Sequence, residues 1–375
     1  MPQRLFEVHD LRVAVNDQEA AVRGDIEPPV SDRGEELGRG WVEAIPGLSF
    51  GVAVGEVLAL VGESASGKTL GLLGAFALLP NGARALGGTT SFDGTVFRPA
   101  GRPFGDRKPK RKERRKAEYA GRTVVDFDDE EWAKVMGTDV GFLFQNPVAA
   151  WTPDIVIGDQ TGEALHEHSD LSQQEIEERV YDALGSVQLP KSSRLFGAFR
   201  HELSRGMAQR AMLAAALVKA PRLLIADEPL TGLDAPVAAA ILDLIKDMQK
   251  ARGMAMILVT HDMGTVARVA DRVAVMYGGV IVEEGPIRDV FHKPTHPYTS
   301  ALLGAVPGLS TARLRTIGGE APPLSEVQRG ECVFAKRCTY AIDACFRSEP
   351  GLETIHRSSC ACHRKFNLDL PGVGR

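Results

Sequence analysis

The sequence predicts an α/β fold in which parallel strands are covered by helices, and three observations carry that prediction. An apolar run, Val57 to Val61, leads into a glycine-rich turn and then into a second apolar stretch, Leu70 to Leu79, that stops at Pro80. Two further buried-strand candidates, Leu223 to Ala226 and Met254 to Thr260, are separated by the helical pattern Pro236 to Gln249. Such a rhythm brings successive strands into parallel register with helices on their faces. Arg272 to Glu284 then reads as two strands joined at Gly278-Gly279.

The 375 residues exceed one typical domain, so a large domain with an appendage is expected. Hydrophobic residues at 44% and charged residues at 25% sit at the globular average, and a net charge of -5 gives no global reason to expect nucleic acid or an anionic membrane. No stretch reaches the roughly 18 to 20 apolar residues that span a bilayer, and Met1 to Asp10 lacks a basic-then-apolar leader pattern. The expectation is a soluble, cytosolic protein.

Leu5 to Val15 alternates well enough for a strand, and Gly47 to Phe50 reads as another. Asn16 to Gly40, rich in Gly, Pro, Asp and Glu, reads as a loop insertion. A second irregular excursion, Arg98 to Asp139, holds eight Lys/Arg within Arg107 to Lys116 and an acidic run at Asp126 to Glu131. No aromatic interleaves the basic residues, so a solvated segment is favoured over a nucleic-acid or lipid contact. Leu171 to Leu189 looks helical, with Ser172 and Glu175 at its start. After Pro286 the composition shifts to Pro, His and Cys, which divides the chain into 1–285 and 286–375.

Gly62-Glu63-Ser64-Ala65-Ser66-Gly67-Lys68-Thr69 follows the strand Val57 to Val61 and opens the apolar helix, which is the context a phosphate-binding loop requires. Glycines let successive N–H groups converge on phosphate oxygens, and the helix adds its positive dipole end. Lys68 is expected to reach the β- and γ-phosphates of ATP, and the Thr69 hydroxyl to ligate Mg²⁺. Leu223 to Glu228 is an apolar strand ending in two carboxylates, which puts Asp227 at the Mg²⁺ shell and Glu228 beside the attacking water. Thr231-Gly232-Leu233-Asp234 follows, and a second strand ends at His261. His166 and His168 are two apart, off any common helix face, and no metal is expected there.

From about Leu5 to Pro286 the chain resembles the ABC ATPase family. Gly62 to Thr69 matches its Walker A motif, Gln145 its Q-loop, which adds a catalytic and Mg²⁺ contact, and Leu203 to Gln209 its signature. Asp227 and Glu228 match Walker B and the catalytic glutamate, Asp234 the D-loop and His261 the switch histidine. The resemblance implies a P-loop NTPase core of ABC type with an antiparallel β subdomain and an α-helical subdomain at about 151–212. It also implies two subunits that sandwich two ATP molecules, each held by one Walker A and by the other subunit's Ser204, Gly206 and Asp234.

Two positions depart from the family pattern. The signature usually reads Leu-Ser-Gly-Gly, and here it is Leu203-Ser204-Arg205-Gly206. The expectation is that the site built on this Walker A hydrolyses ATP while the site capped by this signature is weakened. Val15 stands where an adenine-stacking aromatic is expected, and Trp41 is the candidate replacement, with simple packing as the alternative.

Val61-Gly62-Glu63-Ser64, Phe144-Gln145-Asn146-Pro147 with Trp151-Thr152-Pro153, His201-Glu202-Leu203-Ser204 and His296-Pro297-Tyr298-Thr299 resemble the oligopeptide, dipeptide and nickel importer subfamily. All five cysteines fall in the last 44 residues, and Cys332, Cys338, Cys345 and Cys362 match that subfamily's C-terminal pattern, with Cys360 and His363 flanking the last. In the subfamily the pattern is associated with an iron–sulfur cluster; on ligand type alone four thiolates suit [4Fe–4S] or Zn²⁺, and free thiols remain the alternative.

The resemblance implies an ATP-hydrolysing importer subunit, peripheral to the cytoplasmic face of the membrane. Its partners would be two transmembrane permease subunits docking near Gln145 to Pro153, a second ATPase subunit for which Arg205 favours a paralogue, and an extracytoplasmic substrate-binding protein. No specific nucleic acid is expected; the alternative, a soluble ABC ATPase acting on nucleic acid or ribosomes, has only the basic run in its favour.

Overall fold

Alternating apolar side chains carry the first strand slightly beyond its sequence pattern: in the computed structural model β1 runs Arg4–Asn16 and buries Leu5, Phe6, Val8, Leu11, Val13 and Ala14. Residues 3–17, 28–32, 34–98, 117–119, 122–126, 130–306 and 317–373 are described. The basic run at 107–116 and residues 18–27 of the first insertion lie outside the described residues. Strand β2 (Trp41–Ala53) is much longer than the four residues expected, and β3 (Val57–Val61) is buried throughout. β4 (Ala83–Phe92), β5 (Thr95–Arg98), β6 (Ala117–Tyr119) and β7 (Arg122–Asp126) complete a six-stranded sheet of order β2-β1-β4-β5-β7-β6. The β1/β4, β4/β5 and β6/β7 pairs are antiparallel. The sequence pattern missed β4 because Gly87-Gly88 interrupts it. Gly88 (φ 95°) passes so close to β1 that a Cβ there would lie 2.6 Å from the Asp10 carbonyl oxygen.

Packing divides the chain into two units, one comprising Arg4–Val52, Leu58–Asp128 and Thr260–Arg375, the other Met1–Gln3, Ala53–Val57 and Asp129–Val259. This grouping does not follow the compositional division at 285/286. In the second unit a helix, Glu130–Thr138, occupies part of the excursion read as irregular, with Glu130 and Glu131 at its positive end. There β8 (Val140–Leu143), β9 (Leu223–Asp227) and β10 (Ala255–Thr260) form a parallel ladder, with Leu223 opposite both Val140 and Ala255. Helix Ala235–Arg252 crosses between β9 and β10, entered at Pro236 and closed by Gly253 (φ 60°). Between β8 and β9 the chain forms helices Ile157–His168, Gln173–Ser186, Ser193–Phe196 and Arg205–Leu217. Ser172 and Glu175 close a capping box on the second of these, which buries Ile176, Val180 and Leu184 on one face.

In the first unit β11 (Arg272–Tyr277) lies parallel to β3, pairing Arg272 with Leu58 through to Val275 with Val61. It turns through Gly278 and Gly279 into antiparallel β12 (Val280–Pro286). The short strands β13 (Glu353–Ile355) and β14 (Ser358–Cys360) then extend this sheet, β14 setting Cys360 opposite Glu283 of β12. The tail therefore builds onto the sheet. The helix after the phosphate loop spans Lys68–Ala75, shorter than the apolar run to Leu79. Ala77 adopts φ 58°, and the N–H groups of Leu78 and Ala77 return to the carbonyls of Leu73 and Gly74, a closing turn that apolarity alone does not forecast.

A buried polar step supports helix Pro297–Gly304. Glu283, fully buried, accepts from the Thr295 N–H (2.7 Å), the Thr295 hydroxyl (2.8 Å) and the His296 N–H (3.0 Å). His296 in turn caps the helix, its Nδ1 accepting from the Tyr298 N–H at 3.1 Å. Burial pushes the His296 imidazole down to about 3. Its folded value lies below its unfolded one, so the stability it contributes is present above about pH 6.5 and is lost as pH falls from there toward 3, by at most about 1.4 kcal/mol per pH unit. Asparagine caps without titrating. The melting-temperature deficit of His296→Asn relative to the natural chain should therefore shrink between pH 7.5 and pH 5; an unchanged deficit would remove His296 from the acid response.

Candidate functional site

The phosphate loop begins where β3 ends. Gly62 (φ 156°) runs beside β11, where a Cβ would collide with the Met276 carbonyl oxygen. Gly67 (φ 98°), the residue preceding helix Lys68–Ala75, would place a Cβ 2.9 Å from Ile45 Cδ1 and 3.3 Å from Gly279 Cα. Between them Ala65 takes a left-handed φ of 64°, a strain of roughly 1 kcal/mol that a functional loop retains only when its surroundings demand it. Lys68 is buried, its Nζ donating to the carbonyls of Gly62 and Glu63 at 2.9 Å each and to Ser66 Oγ at 3.3 Å. The Gly279 N–H donates to the Ser66 carbonyl at 3.0 Å. Arg329 secures that turn through the Gly278 and Ala44 carbonyls, each at 2.9 Å.

Two tail residues hold Glu63. Its N–H donates to the Tyr298 hydroxyl (2.8 Å), and its carboxylate accepts two hydrogen bonds from Arg337, at 2.7 and 3.1 Å. Burial opposes the Arg337 charge, and its hydrogen bonds to Glu63 and Tyr277 outweigh that, raising its pKa.

In the second unit Asp227, 3% exposed, ends β9. Glu228 follows with a left-handed φ of 47°, its N–H donating to the Val259 carbonyl (2.9 Å) and its Oε2 accepting from the Thr231 hydroxyl (3.0 Å). Asp234 precedes helix Ala235–Arg252, its carbonyl accepting from the Ala238 N–H at 2.9 Å while its exposed side chain forms no cap. Ser204 caps helix Arg205–Leu217, its Oγ accepting from the Met207 N–H at 3.3 Å. Gly206 lies in the first turn of that helix, near Val237. Arg205 folds back onto the segment before Asp234, donating to the Thr231 carbonyl at 2.9 Å with its guanidinium over Gly232. Gln145 is exposed just beyond β8, beside the stacked pair Phe142 and Phe144.

In the first unit, His261 is exposed at the end of β10. Trp41 packs on Ala14, Leu37 and Leu86, with the Arg84 guanidinium 5.4 Å from its ring centre. Thr69 sits half-buried in the helix after the loop.

The four matched cysteines gather in the tail. Cys332, Cys345 and Cys362 are buried, and the Cys332 N–H donates to the Cys345 carbonyl at 2.9 Å. Burial pushes the Cys332 thiol up to about 11, with Cys345, Cys362 and Cys338 adding to the rise. The thiols of Cys332, Cys338 and Cys362 each accept an N–H two residues on, from Phe334, Tyr340 and Arg364. Cys360 instead packs against Glu283. Among the described residues no group of three or more His, Cys, Asp or Glu stands in an arrangement that holds a metal ion. The expected metal centre is thus not closed in this structure. Burial likewise raises the thiols of Cys338 and Cys362.

The chain matches the ABC transporter family over residues 45–231, and the oligopeptide/dipeptide transporter C-terminal region over residues 282–345. A Brucella ovis protein named as a peptide import ATP-binding protein is 40% identical over 85% of this chain and 91% of its own length. The chain belongs to the ABC transporter family. The Bacillus subtilis oligopeptide transport ATP-binding protein OppD is 37% identical over 89% of this chain and 87% of its own. Among solved structures, the dimeric post-hydrolysis ATP-binding cassette MJ0796 bound to ADP and Pi shares the fold, with a TM-score of 0.55, 20% identity and coverage of 76% and 99%. Membership of the ABC family makes the chain an ATPase.

Sequence reasoning missed Arg337 and Arg329 as neighbours of the phosphate loop and its adjoining turn, and Thr231 as a neighbour of Glu228. Tyr298 stood in a segment singled out by resemblance, with nothing local to say what its hydroxyl meets. The Thr231 hydroxyl fixes one oxygen of Glu228, so Thr231→Val should lower ATPase kcat about tenfold with KM for ATP unchanged. Thr231→Ser should retain the rate, and equal loss in both variants would show that the hydroxyl is not what matters.

Proposed function

We propose that the chain is the ATP-hydrolysing subunit of an ABC importer for peptides or related small solutes. One observation carries this reading: the phosphate loop of an ABC cassette is packed in one unit with a segment that matches the oligopeptide/dipeptide transporter C-terminal region. Relatives named for dipeptide and oligopeptide transport support the cargo class.

In this reading the loop Gly62, Glu63, Ser64, Ala65, Ser66 and Gly67 surrounds the phosphates, and Lys68 exchanges its carbonyl partners for phosphate oxygens. The buried carboxylate of Asp227, the Thr69 hydroxyl and the Gln145 amide are hard oxygen donors of the kind that suit Mg²⁺, whose charge offsets that of the β- and γ-oxygens. Glu228 accepts the proton of the attacking water and His261 orients it. Trp41 offers its ring to the adenine. Ser204, Gly206 and Asp234 face the nucleotide of a second ATPase subunit, and the charge of Arg205 in that signature makes a paralogue with an unequal site the fitting partner.

Two permease subunits, supplied with cargo by an extracytoplasmic binding protein, complete the transporter. Among the described residues no helix is long and apolar enough to cross a membrane. A cleft of about 250 Å³ lined by Phe142, Phe144, Ala150, Trp151 and Gln160 adjoins Gln145 and is the docking surface proposed for a permease's cytoplasmic helix. ATP-driven closure would turn the permeases outward, and hydrolysis would reset them. Cys332, Cys338, Cys345 and Cys362 fit an iron–sulfur cluster or Zn²⁺ in donor type, and the N–H groups donated to three of the sulfurs, those of Cys332, Cys338 and Cys362, support the assignment.

The function is tested in the assembled transporter. Glu228→Gln should cut ATP hydrolysis at least about a hundredfold while ATP binding survives. Hydrolysis at the natural rate would remove Glu228 as the base, and purification without permeases would count against the importer. For the cysteines, an anaerobic preparation should carry bound metal, with visible absorbance if the centre is iron–sulfur; a colourless, metal-free chain would end that assignment.

A further inference from the structure

Glu63 is the one carboxylate between Gly62 and Thr69, on a loop whose backbone is suited to anions. Left unpaired, its charge would oppose an incoming phosphate. Arg337 meets it with a two-bonded fork, and Arg337 is itself held on every side. Its Nε donates to the Gly318 carbonyl and its Nη2 to the Gly319 carbonyl, each at 2.9 Å, and its Nη1 to the Tyr277 hydroxyl at 3.3 Å. The guanidinium lies 5.6 Å from the Tyr277 ring centre and 6.0 Å from that of Phe334. Its side chain is 7% exposed, against 27% for Glu63. A planar fork so constrained sets the position of its partner more than it follows it.

The tail supplies a second hold. The Tyr298 hydroxyl takes the Glu63 N–H, and Tyr298 is fully buried between Tyr277 and Phe334, with ring centres at 4.8 and 5.2 Å. Main chain and side chain of one loop residue are thus gripped from two separate places, 235 and 274 residues onward.

We propose that Arg337 is a positioning residue for the phosphate loop: with Tyr298 it fixes the first turn of the loop, and it cancels the one negative charge that the loop itself carries. The proposal rests on the reading of Gly62 to Thr69 as the ATP site. It makes ATP affinity depend on the cysteine-bearing segment, because Arg337 ends the turn Ala335–Arg337 between Cys332 and Cys338. The Ala335 N–H donates to the Cys332 carbonyl (2.9 Å), and the Cys338 N–H to the Ala335 carbonyl (3.2 Å). A shift of either cysteine loop is therefore carried to the guanidinium.

The test is equilibrium binding of a fluorescent ATP analogue, with Mg²⁺, to the full chain, with thermal unfolding measured alongside. Arg337→Ala should raise Kd about tenfold. Arg337→Lys should fall between, since lysine returns the charge without the fork. Glu63→Gln removes the charge together with the fork's ionic partner and should raise Kd less than Arg337→Ala does, and combined with Arg337→Ala it should bring Kd back to the value of Glu63→Gln alone, because no unpaired carboxylate is then left in the loop. A pair that merely staples the tail would lower the melting temperature and leave Kd alone. Natural affinity in Arg337→Ala, or no recovery in the double variant, overturns the proposal. Should Arg337→Ala fail to fold, Arg337→Lys with and without Glu63→Gln makes the same comparison. Lys68→Ala separates the two readings: if it abolishes binding while Arg337→Ala does not weaken it, only the positioning role falls. Natural binding by Lys68→Ala would instead remove the ATP site assigned to this loop.

Discussion

The parallel pairing of β3 with β11 governs the phosphate loop, because the loop starts at the last paired residue, Val61, and has to clear the strand beside it. Gly62 passes the Met276 carbonyl with no room for a side chain, and Gly67 passes Ile45 and, less tightly, the Gly279 backbone. The same register delivers the turn at Gly278-Gly279 to the Ser66 carbonyl. A one-residue slip would exchange the two faces of β3 and carry Gly62 away from the Met276 carbonyl that it alone can pass, so the register sets the loop's origin.

Polar groups in the tail's interior are tolerated because they satisfy one another in sequence. Glu283 takes the donors of Thr295 and His296, His296 takes the Tyr298 N–H, and the Tyr298 hydroxyl takes the Glu63 N–H. A buried carboxylate in β12 thereby reaches the phosphate loop through three hydrogen-bonded steps, each inside a low-dielectric interior where an unpaired group would be costly. The His-Pro-Tyr-Thr segment, which looked like a mere family marker, gains a physical role: a capping imidazole, a proline at the helix start and a hydroxyl aimed at the loop.

In the second unit the acid pair is served by its own neighbourhood. Thr231 ties the Glu228 carboxylate through its hydroxyl and receives Arg205 on its carbonyl, so a signature residue and the proposed base share one intervening residue. The arginine that departs from the family signature is thus held by a backbone carbonyl in the turn before Asp234.

Much of this was legible in the sequence, for local reasons. Unbroken apolar runs fixed β3, β9 and most of β10, the pattern from Pro236 marked the crossover helix, and glycine, lysine and threonine at set spacing marked the phosphate loop, because each is a constraint on neighbouring residues. Strand β4 was hidden by Gly87-Gly88, whose purpose is the close approach of β1, and the early end of helix Lys68–Ala75 was hidden by a left-handed alanine. The cysteine spacing named four sulfurs; only the folded tail set Cys360 apart, against Glu283. The sequence by itself determined the phosphate loop and its acid pair, since their chemistry lies in contiguous residues. Tertiary structure alone decided that Arg337 and Tyr298 hold Glu63, because a fork and a hydroxyl more than two hundred residues away leave no local trace until the strands are paired.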